Sequence, residues 1–494
     1  MTPLSCAELN SMGRNISTPF YLSLSQVPKG QDILKIESIL RLVPGRRLVA
    51  LAQWNGKQVI AKLFFHARHF KRNMRRDLEG INQLIQSDIP TPALLMQGLM
   101  EDQRGGVLIT EYLHHGTPLA VLFDNADSET TKDEVMSLAI KLIAQCHQSG
   151  ICQSDIHLDN FMRWGERVYL LDGGGIVSEE GGLDSKARLQ NLALFFAQFS
   201  IAGDEKITSL LQIYQNHTSV ISDNDNAGFH EQVKLARRQR LSKFERKLFR
   251  STSASGSERS IRKFCVYDRS IYSPELERFI ENPDAYIKPE NMLKKGNSST
   301  VALVKIDDRD YVLKRYNIKN FWHGLSRSCR PSRAHHSWRN ASVLEMLGIG
   351  TAHPYLFIEE RLFWIFRRRA YFLCERVLGE DLGTQWKNAN LINEQKENLV
   401  QDKFKEVADL FRQLFERMSD YRISHGDMKA TNFIIRDKQL VVLDLDSMKR
   451  HKSLNTFQRS IEADLVRFQK NWINSSLELP VKNMCEQIEQ YRAG

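Results

Sequence analysis

The sequence predicts an α+β protein with two tandem domains of one fold, each with a small β-rich lobe followed by a mainly helical lobe. Two stretches carry this prediction, because both contain an acid, an asparagine five residues later and a second acid seventeen residues after the first. Those residues are Asp155, Asn160 and Asp172 in the first stretch, and Asp427, Asn432 and Asp444 in the second. A short apolar hairpin precedes the second acid in both, so two unrelated surface turns are a poor explanation.

Length and composition divide the chain into three regions. With 494 residues, of which 42% are hydrophobic, the chain can build two or three globular domains. The repeat predicts a first domain over 1–220 and a second over 286–494. Between them, residues 221–285 are basic and rich in serine, which predicts a partly flexible connector.

Composition also predicts the cellular setting. The apolar runs are too short to cross a bilayer, and the N-terminus lacks the basic start and apolar core of a signal peptide. Seven scattered cysteines without a C-x-x-C pair indicate reduced thiols. These observations predict a cytoplasmic protein.

The formal charge of +10 favours an anionic partner. Eleven Lys or Arg against two acids occur in Lys234–Lys263, and seven against none in Lys314–Arg339. The second stretch also contains four aromatic residues, Tyr316, Phe321, Trp322 and Trp338. Such a composition predicts peripheral binding to an anionic membrane, the alternative being solvated charges that only maintain solubility. No recognised nucleic-acid module is present, so no nucleic-acid partner is expected.

The β-rich lobes are predicted from apolar strands that carry single charged residues. In the first domain, 48–65 predicts a hairpin around an Asn-Gly turn, and its second strand carries Lys62. A basic helix over 68–86 follows and carries Glu79, and a later apolar strand contains Glu111.

The second domain begins with a comparable series. Gly296 and Ser298 lie in a turn of small residues between strands, where backbone N–H groups can approach phosphate. The strand over 311–316 carries Lys314, and a later apolar strand contains Glu375.

Together these residues resemble the catalytic loop, metal-binding strand and phosphate-binding lobe of protein-kinase-like phosphotransferases. The resemblance implies ATP and Mg²⁺ as cofactors. It implies catalytic bases at Asp155 and Asp427, and metal ligands at Asn160, Asp172, Asn432 and Asp444. It also implies cofactor-binding positions at Lys62, Glu79, Glu111, Gly296, Ser298, Lys314 and Glu375, with Glu79 orienting Lys62 and with Glu111 and Glu375 at the adenine-binding hinge.

A narrower resemblance rests on two motifs of the second domain. S-H-G-D-M-K-A-T-N-F at 424–433 and Y-V-L-K-R-Y-N-I-K-N-F-W-H at 311–323 resemble the bacterial lipopolysaccharide core kinases, which act on heptose or Kdo. This resemblance implies phosphate transfer from ATP to a sugar hydroxyl of the inner core, with Lys429 beside Asp427 in the catalytic loop. It also implies a peripheral position on the inner face of the inner membrane.

Departures from the pattern keep alternatives open. Gln153 and Ser154 replace the His-Gly pair before the first base, so one active domain with a pseudokinase scaffold is an alternative. In the second domain the corresponding helix places Arg339 rather than an acid opposite Glu79, and Asp446 is expected to be solvated. A small-molecule or protein kinase is the other alternative, although the missing D-F-G and A-P-E signatures argue against eukaryotic-type protein kinases.

Overall fold

A computed structural model describes residues 2–25, 27, 30–179, 181–218, 228–317, 330–362, 366–390, 397–475 and 477–493. Helices and strands are mixed along the chain, which confirms the α+β prediction. The chain forms two compact units. Unit 1 comprises Met1–Gln198 and Gly203–Ala236, and unit 2 comprises Phe199–Ala202 and Arg237–Gly494. No helix among the described residues is both long enough and apolar enough to span a bilayer.

Unit 1 contains a closed six-stranded barrel. Its strands are β1 (Phe20–Ser25), β2 (Ile33–Val43), β3 (Arg47–Trp54), β4 (Lys57–Phe64), β5 (Leu94–Met100) and β6 (Gly106–Glu111). They follow the order β1-β2-β3-β4-β6-β5 around the barrel. Side chains alternate between the two faces of a strand, so Leu48, Ala50 and Ala52 of β3 all point inward and are fully buried.

The hairpin of β3 and β4 confirms the Asn-Gly prediction. Trp54 pairs with Lys57, and the two residues between them, Asn55 and Gly56, have φ values of 51° and 72°. Positive φ at both central positions is the turn geometry that matches the twist of paired strands. The resulting register places Lys62 beside Leu108 of β6 and fixes the face from which its side chain emerges.

The remainder of unit 1 is mainly helical. Its helices are α1 (Cys6–Met12), α2 (Phe70–Gln86), α3 (Leu119–Asp124), α4 (Glu129–Gln148), α5 (Ser185–Phe196) and α6 (Ile207–Asn216). Its short strands are β7 (Thr117–Pro118), β8 (Ile151–Gln153), β9 (Phe161–Trp164), β10 (Arg167–Leu170) and β11 (Ile176–Ser178). Strands β9 and β10 pair as the hairpin predicted between Asn160 and Asp172.

Unit 2 contains a seven-stranded antiparallel sheet. Its strands are β12 (Ser255–Arg259), β13 (Lys263–Asp268), β14 (Met292–Lys295), β15 (Ser299–Ile306), β16 (Arg309–Tyr316), β17 (Pro354–Leu362) and β18 (Phe366–Glu375). The order across the sheet is β12-β13-β17-β18-β16-β15-β14. Lys314 lies in β16 next to β15 and β18.

The residues predicted to form a connector contribute to this second unit. Unit 2 includes helix α7 (Phe229–Glu245) from Arg237 onward, helix α8 (Pro274–Glu281) and strands β12 and β13, whereas the first half of α7 belongs to unit 1. Buried Phe264 and Val266 of β13 explain why, because their apolar side chains complete the core beneath the sheet. Unit 2 therefore begins earlier than the predicted boundary at 286.

The helical part of unit 2 holds the second motif. It comprises α9 (Arg333–Met346), α10 (Leu382–Asn390), α11 (Glu397–Asp420), α12 (Leu454–Gln469) and α13 (Glu478–Ala493). The short strands are β19 (Ile423–Ser424), β20 (Phe433–Arg436), β21 (Gln439–Val442) and β22 (Lys449–Arg450). Strands β20 and β21 form the predicted hairpin, so Asn432 and Asp444 flank its two ends.

Candidate active sites

A cavity of about 290 Å³ lies in unit 2 against the sheet. Four of the predicted residues line it, namely Lys314, Glu375, Asn432 and Asp444. Gly296 and Ser298 lie in the turn between β14 and β15, but their neighbours Lys294 and Ser299 form the lining there. The fold thus brings together residues that are far apart in sequence. Glu375 ends β18, and its carboxylate lies 2.6 Å from Arg436.

Lys314 is held by two carboxylates that come from one loop. Its Nζ donates to Asp444 Oδ1 and, at 3.1 Å, to Asp446 Oδ2. Burial disfavours the charged ammonium, but Tyr316 and these two carboxylates raise the pKa of Lys314 above its usual range. Burial also opposes ionisation of Asp444, yet Lys314 lowers the pKa of that carboxyl. An ammonium and an ionised carboxylate therefore face the same cavity.

Asp446 is not the solvated residue that the sequence suggested. Its side chain is only 3% exposed, and it accepts hydrogen bonds from Lys314 and, at 2.7 Å, from Arg333 of α9. A buried carboxylate needs such partners, because desolvating an unpaired charge is costly. Arg339, expected opposite Glu79, instead pairs with Glu245 at 2.8 Å.

The catalytic-type loop of unit 2 is organised around Asp427. Lys429 Nζ lies 3.0 Å from Asp427 Oδ2, so the two predicted catalytic residues are in contact. Asn432 Nδ2 donates to the backbone oxygen of Asp427 at 2.8 Å. This bond uses the amino group of the Asn432 amide and leaves its Oδ1 as the atom for other contacts.

A buried acid that the sequence analysis missed supports this loop. Asp464 of α12 accepts from the backbone N–H of His425 at 2.6 Å and of Gly426 at 2.9 Å. Burial raises the pKa of Asp464 to about 6, although both N–H groups oppose the shift. A signal was available, because Ile461 and Phe468 lie on the same helical face and are buried, and an acid on such a face needs donors.

Unit 1 has a comparable lysine, but its helix acid is Asp77 and not Glu79. Lys62 Nζ lies 2.7 Å from Asp77 Oδ1 and 2.8 Å from Asp172 Oδ1. The Asp77 side chain is 1% exposed, whereas that of Glu79 is 61% exposed and lies 3.5 Å from Arg75. The buried face of α2 recurs every three or four residues and includes Asp77, Gly80 and Ile81, which excludes Glu79.

The three acidic and basic groups of unit 1 influence one another's ionisation. Burial raises the pKa of Asp77, although the ammonium of Lys62 opposes that shift. Burial also acts against ionisation of Asp172, but there Lys62 and the Gly174 N–H prevail and lower the pKa well below its usual range. Asp172 is therefore the firmly ionised carboxylate of the pair.

The first two of the three glycines after Asp172 allow α2 to approach this site closely. A Cβ at Gly173 would lie 2.4 Å from the backbone oxygen of Asp77, and one at Gly174 would lie 2.5 Å from Asp77 Oδ1. A Cβ at Gly80 would lie 1.9 Å from Gly173 O. Only residues without a side chain fit between the helix and the turn.

The loop around Asp155 is less constrained than its counterpart in unit 2. Asn160 Nδ2 donates to the backbone oxygen of Asp155 at 2.9 Å, but the Asp155 side chain is 84% exposed. Gln153 donates to the backbone oxygen of Asp172 at 3.2 Å, as His425 lies 3.0 Å from that of Leu443 in unit 2. The glutamine thus supports the loop as the histidine does, but through the carbonyl one residue further along the chain.

Glu111 ends β6 of unit 1, and its backbone N–H donates to Ala93 O at 2.9 Å. Its place at the end of the strand agrees with the predicted hinge position, while its role stays a prediction.

Residues 287–491 match the family model described as the lipopolysaccharide kinase (Kdo/WaaP) family. The protein is a kinase. The matched residues include β14–β18 and the loop that carries Asp427, Asn432 and Asp444. The sequence motifs at 311–323 and 424–433 also lie within the match, so the comparison confirms the resemblance that they indicated.

Two other comparisons add less. No curated protein matches the kinase. Among solved structures, the PknI kinase domain of Mycobacterium tuberculosis is 17% identical, with a TM-score of 0.25 over 34% of this chain and 73% of that domain. A similarity at that level supports no inference about function.

Several residues of the two basic stretches are buried or form hydrogen bonds within the protein. Arg237 is 1% exposed and donates to Tyr421 OH at 2.7 Å, and Arg238 donates to Asp420 O. Trp338 is 4% exposed and donates to Leu248 O at 3.2 Å. The expectation that it lies at a membrane-facing surface is therefore wrong. Tyr316 is buried as well, and Phe321 and Trp322 lie outside the described residues.

Proposed function

We propose that the kinase transfers phosphate from ATP to a sugar hydroxyl, of heptose or Kdo, in the lipopolysaccharide inner core. The observation that carries this proposal is the arrangement of Lys314, Asn432 and Asp444 around one cavity, inside the residues that match the lipopolysaccharide kinase family. Phosphoryl transfer depends mainly on positioning and on neutralising charge, and these side chains are suited to both tasks.

The polar groups of unit 2 fit Mg–ATP. Asp444 and the Asn432 Oδ1 would hold Mg²⁺, because hard oxygen ligands are those that this ion prefers. When bound, Mg²⁺ neutralises the charge of the ATP phosphates. Lys314 would bind a phosphate, and Glu375 would lie at the adenine end of the cavity. The turn at Gly296 and Ser298 would cover the phosphates with backbone N–H groups.

Asp427 is proposed as the residue that orients the sugar hydroxyl and accepts its proton. Lys429 holds one oxygen of this carboxylate, and Arg467 lies 3.9 Å from the other, so its orientation is restricted. Asp464 in turn restricts the backbone at His425 and Gly426. Positioning of this kind supplies a large part of the catalytic effect when two reactants must meet.

The two units are proposed to be tandem kinase-like domains of unequal activity. In unit 1, Lys62, Asn160 and Asp172 would bind Mg–ATP in the same way. Its candidate base, Asp155, is far more exposed than Asp427. Asn191 donates to Gln153 O in unit 1, whereas in unit 2 the residues before the base donate to Asp464. We therefore assign phosphate transfer to unit 2 and nucleotide binding to both units.

The genetic test compares core oligosaccharide from a strain with the kinase and from a strain without it. Loss of one phosphate from heptose or Kdo, restored by the wild-type gene and not by a gene encoding Asp427→Asn, is the expected result. An unchanged phosphate content and position in the deletion strain would reject the substrate and leave a small-molecule or protein kinase.

A further inference from the structure

The second carboxylate that contacts the lysine comes from a different element in each unit. In unit 1 it is Asp77 of α2, and in unit 2 it is Asp446, two residues after Asp444. Both lysines also contact the acid that follows the hairpin, Asp172 or Asp444. Each ammonium therefore has two carboxylate partners, but the source of one partner changes from helix to loop.

The register of the surrounding contacts identifies the corresponding positions. Thr91 Oγ1 donates to Leu170 O and Thr351 Oγ1 donates to Val442 O, both at 2.8 Å. Asp77 lies fourteen residues before Thr91, and Ser337 lies fourteen before Thr351. Ser337 therefore holds the position of the helix acid.

Counting from the other two anchors completes the set. Gly174 and Asp446 each lie two residues after the acid that follows the hairpin, and Phe64 and Tyr316 each lie two residues after the lysine. Unit 1 thus has Phe64, Asp77 and Gly174 where unit 2 has Tyr316, Ser337 and Asp446.

Steric contacts make these three positions interdependent. A side chain at position 174 would meet the carboxylate of Asp77, since the distance from its Cβ to Asp77 Oδ1 would be 2.5 Å. In unit 2 the helix position bears only a serine, and its Oγ lies 2.8 Å from Tyr316 OH. An acid therefore fits either at the helix position, as Asp77 does, or at the loop position, as Asp446 does. The unit with the loop acid also has the tyrosine hydroxyl of Tyr316.

We propose that Asp446 is the positioning residue that holds Lys314 for phosphate binding in unit 2, and that Tyr316, Ser337 and Asp446 are one exchangeable set with Phe64, Asp77 and Gly174. This inference rests on the proposed binding of ATP phosphate by Lys314. Asp446 would act through Lys314, whose Nζ lies 3.1 Å from its carboxylate. Helix α9 contributes Arg333 as a counter-charge, and the acid itself belongs to the loop of Asp444.

The test measures Mg–ATP binding to the full chain by calorimetry, in a background in which Lys62→Met removes the lysine of unit 1. Asp446→Gly should weaken binding about tenfold or more, the usual effect of removing a charge-assisted contact. Adding Ser337→Asp and Tyr316→Phe to Asp446→Gly recreates the set of unit 1 and should return the dissociation constant to within about threefold of the background. A purely structural role would not predict rescue by an acid on another element.

Asp437→Gly is the matched control, because Asp437 is exposed in the β20–β21 turn at a φ of 53° that glycine tolerates. It should bind as the background does, and melting curves of all variants report folding. Unchanged binding in folded Asp446→Gly, or no rescue in the folded triple variant, would overturn this inference and leave the nucleotide assignment for unit 2 intact. If the background itself binds no Mg–ATP, both the inference and the nucleotide assignment for unit 2 fail.

Discussion

At the scale of single residues, the phosphate-binding candidates Lys62 and Lys314 each lie between two carboxylates. Lys62 contacts Asp77 and Asp172, and Lys314 contacts Asp444 and Asp446. The choice of Glu79 failed because successive helix residues are about 100° apart, so Glu79 lies roughly 200° around α2 from Asp77. Phe70, Ile81 and Leu84 mark the buried face of that helix, and their spacing places Asp77 on it. The close approach of this face to the glycines at 173 and 174 is a tertiary contact that the local pattern does not show.

The first prediction separates Asp77 from Glu79. Asp77→Asn should weaken Mg–ATP binding by unit 1 about tenfold, because Lys62 loses one of its two carboxylate partners. Glu79→Gln, an equal change of charge at an exposed position of the same helix, should have no effect. Calorimetric titration in a Lys314→Met background measures both. Equal affinities of the two variants would contradict the assignment of Asp77.

The second prediction concerns the buried His147 of unit 1. Its ring contacts Tyr214 OH at 2.8 Å and Asn191 Oδ1 at 3.0 Å, and Asn191 in turn donates to Gln153 O. Burial lowers the pKa of His147 from 6.5 to about 4. Because the unfolded chain binds the proton first, this histidine leaves stability intact above about pH 6.5 and reduces it progressively towards pH 4.

His147→Gln removes that titration and should flatten the fall in melting temperature between pH 6.5 and pH 4. The difference corresponds to about 3 kcal/mol at the acid end. Melting curves of the variant and the wild type across this range give the comparison, and parallel pH profiles would show that His147 does not titrate in this way.

At the scale of elements, local sequence patterns correctly predicted the hairpins and helices that local interactions stabilise. The Asn-Gly hairpin, both hairpins between asparagine and acid, and the helices before each loop follow from turn chemistry and periodicity. Strands β12 and β13 were not predicted, since β13 is stabilised by pairing with β17, almost a hundred residues further on. Serine-rich composition suggested flexibility there, and tertiary packing outweighed it.

The third prediction tests how closely α2 must pack. Gly80→Ala would normally favour a helix, but its Cβ would lie 1.9 Å from Gly173 O. The helix must therefore shift, which should cost about 1–3 kcal/mol and lower the melting temperature. Gly203→Ala is the matched control, because a Cβ there has no neighbour within 4 Å. Equal melting temperatures of the two variants would contradict the close packing.

At the scale of the whole molecule, the membrane binding expected from the sequence would depend on charges that remain exposed. The ends of β12–β13 and β17–β18 lie next to each other, since Arg361 N donates to Arg262 O at 2.7 Å. Ile261 is 60% and Leu362 45% exposed there, next to exposed Arg259 and Arg262. Arginines beside exposed apolar residues suit an anionic lipid surface, where each charge contributes about 1 kcal/mol.

The fourth prediction is that these hairpin ends bind anionic vesicles. Arg259→Gln with Arg262→Gln should reduce sedimentation with phosphatidylglycerol vesicles at low salt about tenfold. Arg72→Gln with Arg76→Gln removes equal charge from exposed positions of α2 and should leave binding unchanged. High salt should release the wild type, because it screens exposed charges. An equal loss of sedimentation in both double variants, or vesicle binding that does not depend on salt, would contradict the assignment of membrane binding to these hairpin ends.

The most direct test of the central proposal is phosphate transfer from labelled ATP to purified lipopolysaccharide that carries only the inner core. The wild-type kinase should label heptose or Kdo in the presence of Mg²⁺. Asp427→Asn should reduce the rate by about a hundredfold or more, since it removes the proton acceptor, while Asp437→Asn in the exposed turn should keep full activity. Absence of transfer by the wild type, or undiminished transfer by folded Asp427→Asn, would contradict the account.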